Sequence, residues 1–88
     1  MSDQYDKLRE LLETLEYPSV YLFKFIIKKD PAKLVDIKRC FSESVEFQTH
    51  ESKNGNYVSV SIKEMMLTSE AIIDRYKDVS KIENVITL

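Results

Sequence analysis

The chain predicts an α+β fold, a ferredoxin-like βαββαβ sandwich preceded by one extra helix. Three observations carry that prediction. Apolar residues recur at helical spacing in three segments and at strand spacing in four, in the order α-β-α-β-β-α-β. An Asn-Gly pair sits midway between two alternating runs, the strongest short signal for a hairpin. After the leading helix, the remaining order is the split βαβ pattern, which places two helices on one face of a four-stranded antiparallel sheet.

The leading helix is read over Asp3 to Glu16, where leucines fall at 8, 11, 12 and 15 with charged residues between them. Pro18 ends it, because the residue before a proline is pushed to extended geometry. Val20 to Lys29 is dense in aromatic and β-branched residues and reads as a central strand. Its residues Tyr21, Phe23, Phe25 and Ile27 share an apolar face, and Leu22, Lys24, Ile26 and Lys28 share a mixed one.

Asp30-Pro31 supplies an N-cap and a proline at the first helical position, opening a helix to about Phe41 with Leu34, Ile37, Cys40 and Phe41 on one side. Ser44 to Ser52 alternates as a half-buried strand, with Val45, Phe47 and Thr49 facing inwards. Val58, Val60 and Ile62 do the same in the next strand. Thr68 or Ser69 caps a helix carrying Ile72, Ile73, Tyr76 and Val79, and Glu83 to Leu88 closes the chain as a short strand.

The hairpin register follows from parity. A type I′ turn on Asn54 and Gly55 needs positive φ at both positions, which those residues tolerate. It sets Ile62 opposite Phe47 and Val60 opposite Thr49, with Glu64 opposite Val45, on the inner face. Lys63, Ser61, Ser59 and Tyr57 are then on the outer face. A slip of one residue would exchange the two faces. One glycine between two strands matches neither a Walker loop nor a dinucleotide fingerprint.

The chain has 88 residues, enough for a single core, and a formal charge of −2 that gives nucleic acid and anionic bilayers no overall attraction. No apolar run reaches the roughly 20 residues of a membrane span, and the acidic start lacks the features of a signal peptide. With one cysteine, Cys40, and no internal disulfide to form, a cytoplasmic setting is expected. The lone His50 has no metal-ligand or triad spacing around it, so no catalytic residues, metal or cofactor are assigned.

The Glu16-Tyr17-Pro18 ending of the leucine helix, the strand YLFKFI with Lys24, the run SKNGNYVSVSI from Ser52 to Ile62, Tyr76 and the closing IENVITL resemble the YbeD-like family of small bacterial proteins. The resemblance covers nearly the whole chain. It implies a fold similar to the ACT regulatory domains, a regulatory role linked in some members to lipoate metabolism, and no established activity. Pro31 to Ile37 is also similar to an ACT run of proline, leucine and isoleucine, but Ala32 stands where ligand-binding ACT members carry glycine.

The expected organisation is an N-terminal helix over residues 1–17 and a ferredoxin-like domain over 18–88. The expected function is a non-enzymatic regulatory or protein-interaction module that self-associates, with an unidentified protein partner. An ACT-like sensor of an amino-acid or lipoate-related effector is the alternative, and RNA binding ranks below both because the outer face shows serines where base-stacking aromatics would stand. The candidate ligand or interaction residues are Lys24, Lys29, Asp30, Lys33, His50, Tyr57, Ser59 and Ser61. Something must cover the open sheet face: the leading helix within one chain, or a second copy.

Overall fold

The computed structural model describes residues 4–88, so Asp3, the expected start of the first helix, lies outside the described residues. The elements are α1 (Asp6–Glu13), β1 (Ser19–Lys28), α2 (Pro31–Arg39), β2 (Glu46–Glu51), β3 (Tyr57–Met66), α3 (Ser69–Ser80) and β4 (Ile86–Thr87). The four strands form one antiparallel sheet in the order β2-β3-β1-β4, which is the ferredoxin-like arrangement with β1 and β3 central.

The core lies between one face of this sheet and the helices. Phe23, Phe25 and Ile27 of β1 and Val58, Val60 and Ile62 of β3 are buried against Ile37 of α2 and Ile72, Ile73, Tyr76 and Val79 of α3. An aromatic cluster occupies its middle. The Phe23 ring meets Tyr21, Phe41 and Tyr76 edge-on at centroid distances of 4.7, 5.0 and 5.2 Å, the arrangement favoured by ring quadrupoles. The Tyr76 hydroxyl is 3.0 Å from that of Tyr21, so its polar end is satisfied inside the core.

Both core helices begin as their sequences indicate. Asp30 accepts from the Ala32 amide at 3.0 Å ahead of Pro31, and Thr68 accepts from the Ala71 amide at 3.1 Å. The final strand is shorter than expected. Asn84 has φ of 60°, a left-handed kink that keeps Glu83 to Val85 out of the ladder. Thr49 is exposed rather than half-buried, since β2 is an edge strand whose inner face is covered only near Phe47.

The hairpin has the expected register and a different turn. Phe47 pairs with Ile62 and Thr49 with Val60, as parity requires. Only Gly55 has positive φ in the loop, at 73°, so Asn54 is not in a type I′ turn. Instead Ser52 to Gly55 closes a turn through the Gly55 amide and Ser52 carbonyl at 2.9 Å, and Asn54 Oδ1 accepts from Ser52 Oγ at 2.8 Å and the Asn56 amide at 3.1 Å. Lengthening the loop by one residue on each side leaves its centre, and therefore the register, unchanged.

Replacing Gly55 by alanine tests this loop. The new Cβ would meet no atom within 4 Å, so the cost is the left-handed backbone alone, about 1–2 kcal/mol. A urea midpoint that does not fall would show that the loop relaxes to another conformation.

Candidate functional site

The open face of the sheet is the largest feature that the core does not use. Strand alternation delivers its side chains. Cross-strand pairing joins Val20 with Met65, Leu22 with Lys63, Lys24 with Ser61, Ile26 with Ser59 and Lys28 with Tyr57. The β2 partners continue these lanes, with Glu46 beside Lys63, Gln48 beside Ser61 and His50 beside Ser59, while Ile86 of β4 lies beside Ile26.

The result is a face with two kinds of ground. Val20, Leu22, Met65 and Ile86 are exposed aliphatics, and Leu22 retains 44% of its accessible surface. Around Tyr57 the surface is slightly concave. One depression of about 230 Å³ is lined by Ile26, His50, Ser52, Tyr57 and Ser59, and a second of about 320 Å³ lies between Lys28, Tyr57 and the Asn84–Ile86 stretch. Tyr57 borders both.

Five of the eight residues singled out from the sequence therefore meet on one surface: Lys24, His50, Tyr57, Ser59 and Ser61. The Ser59 hydroxyl donates to the His50 carbonyl at 3.4 Å. Among the described residues no contact joins the His50 ring to a hydroxyl or carboxylate, and the face presents hydrogen-bonding and cationic groups.

The other three already have partners, although Lys29 also borders a depression of about 510 Å³ with Lys28, Gly55, Asn56 and Tyr57. Lys29 pairs with Glu51 at 2.8 Å, Asp30 caps α2, and Lys33 Nζ donates to the Glu83 carbonyl at 2.7 Å, tying α2 to the segment before β4. The fold does not gather them into a pocket.

The leading helix does not cover the open face. α1 packs beside α3, with Leu12 buried, Leu8 half-buried and Arg9 bonded to Glu70, so the sheet stays open on its far side. The amphipathic pattern of α1 was visible in the sequence, but the choice between two apolar surfaces was not.

Sequence reasoning also missed one buried ionic cluster. Glu64 is only 8% exposed, and Arg75 grips its two oxygens at 2.8 and 3.1 Å, while the Ser42 amide donates at 3.2 Å. Burial alone would raise the Glu64 pKa, but the hydrogen bonds from Arg75 and Ser42 outweigh it and hold the carboxyl below its usual range. The available signal was an acid at an inward strand position and an arginine three residues after Ile72 on the apolar stripe of α3.

Cys40, at the C-cap of α2, is half-buried. Burial, with Asp78 adding to it, pushes its thiol pKa up, which disfavours the reactive thiolate.

A family model matches residues 12–88, from the second half of α1 to the last residue of the sequence. The chain belongs to the DUF493 family, whose function is unknown. YbeD-like proteins fall within DUF493, so the resemblance carried by the Ser52–Ile62 run and the closing strand is upheld at the level of family. The DUF493 match takes in every strand, α2 and α3, and all of the open face. No curated protein and no solved structure matches the chain. Among the described residues, no helix is long and apolar enough to cross a membrane.

Proposed function

We propose that this DUF493 protein is a non-catalytic regulatory and interaction module that works through its open sheet face and self-associates. The observation that carries the proposal is the position of α1. Because it packs on the helical side, the four aliphatics Val20, Leu22, Met65 and Ile86 remain exposed together with unpaired lysines. A surface of that kind is a candidate contact region. A single, poorly reactive thiol suits work in a reducing cytoplasm.

Sedimentation velocity over a concentration series tests it. The wild type is expected to show a mass that rises above the monomer with concentration, and Leu22→Asp combined with Met65→Asp is expected to abolish the rise while leaving unchanged the melting temperature measured at concentrations where the wild type is monomeric. A wild type that stays monomeric throughout removes self-association from the proposal.

The small-molecule alternative rests on the proline-started segment of α2 and its resemblance to ACT domains. It is the weaker reading, because Lys29, Asp30 and Lys33 are engaged within the fold. A melting-temperature rise with an amino acid or a lipoyl compound would favour it.

A further inference from the structure

Two exposed surfaces of this molecule carry opposite charge beside apolar side chains. On α1 and the turn after it, Leu11 and Leu15 point outwards, 68% and 48% exposed. Glu10, Glu13 and Glu16 are exposed around them and make no ion pair among the described residues, with Lys7 one turn before Leu11. On the open sheet, the exposed aliphatics are interleaved with Lys24 and Lys28, which make no ion pair among the described residues, and with Lys63, held by Glu46 at 3.8 Å.

Three pairings of two copies would bury these apolar groups. Sheet against sheet brings two lysine-bearing faces together, and α1 against α1 brings together two glutamate-bearing ones. Like charges across a contact cost affinity. Helix against sheet matches leucine with aliphatic and carboxylate with ammonium. We infer that the outward face of α1 in one copy docks on the open sheet face of the next.

This rests on the reading that the domain self-associates, and it specifies the geometry. The two surfaces lie on opposite sides of the molecule, α1 in the helical layer and the open face beyond the sheet, so a single helix-on-sheet contact in a pair leaves one helix and one sheet unsatisfied. Such a contact extends to a ring of three or more copies, or to a chain.

That asymmetry gives the test. Leu11→Asp disables only the helix side and Leu22→Asp only the sheet side, and both positions are exposed enough to leave the core intact. In sedimentation velocity at concentrations to about 1 mM, where weak association is detectable, the wild type should pass beyond dimer and each variant alone should associate at least tenfold more weakly. An equimolar mixture should form a one-to-one dimer and stop there, since it holds one intact pair of surfaces. A second arm exchanges charge: Lys24→Glu with Lys28→Glu should weaken association and regain it when mixed with Glu13→Lys with Glu16→Lys.

A wild type that forms a closed dimer, with no complementation in either mixture, overturns the helix-on-sheet geometry and leaves self-association standing. A monomeric wild type overturns both.

Discussion

Phe23→Ala is expected to remove a large part of the stability of this domain. Phe23 is fully buried on the central strand and contacts three aromatic rings from β1, α3 and the segment after α2. Truncating a buried phenylalanine costs about 3–5 kcal/mol through lost transfer energy and the cavity that remains. A domain of this length has a total on the order of 5–10 kcal/mol. Denaturant titration should show a midpoint shifted by roughly a third or more of its wild-type value, and Phe23→Leu should lose a smaller part. A loss below about 1 kcal/mol would mean that the aromatic cluster collapses to fill the space, contrary to its central place in the core.

Breaking the Glu64–Arg75 pair is expected to have the next largest effect. Arg75→Ala leaves a carboxylate buried with only Ser42 to satisfy it, a situation that costs about 3–5 kcal/mol when a buried pair loses one member. The partial exposure of Arg75 places this pair at the lower end of that range. Replacing both partners, Glu64→Met with Arg75→Leu, should cost less than Arg75→Ala alone, because no charge is then stranded. If the double variant is the less stable one, the pair is a net source of stability and not merely a satisfied one.

The same pair sets a direction for pH dependence. Glu64 has a folded pKa below its unfolded value, so its contribution is complete above the ordinary glutamate range. It is lost as pH falls from the unfolded pKa through the lower folded one. Removing Arg75 takes away the largest opposition to burial, so the downward displacement should shrink. The Arg75→Ala variant should therefore lose less stability than the wild type between about pH 5 and pH 3. Parallel denaturation curves for the two proteins across that interval would contradict the assignment.

Most of the architecture could be read in advance because it is written in short-range periodicity. The alternation of Phe23, Phe25 and Ile27, and of Val58, Val60 and Ile62, determined which face of each central strand would be buried. The caps at Asp30 and Thr68 are local, and so were legible. The type of turn at Asn54 was not, since two-residue and four-residue loops with a common centre give the same register and the same alternation. Nor was the place of α1, because its leucine stripe matches any apolar surface. Five of the candidate site residues came together because strand parity put them on one face; Lys29, Asp30 and Lys33 were chosen for charge and position in the chain, which do not show whether a group is already bonded.

The pairing of β1 bears on the order in which the molecule assembles. β2 and β3 are joined by a short loop and can meet early, since closing a short loop costs little entropy. β1 and β3 cannot: Ser19 pairs with Met66 and Lys28 with Tyr57, so each rung brackets α2, β2 and the hairpin loop. Lys24, Leu22 and Ile26 reach the open face only when that long-range ladder closes. A chain caught before this step still has the hairpin but not the binding surface, so a contact between copies through that surface selects fully folded molecules and stabilises the slowest ladder to form.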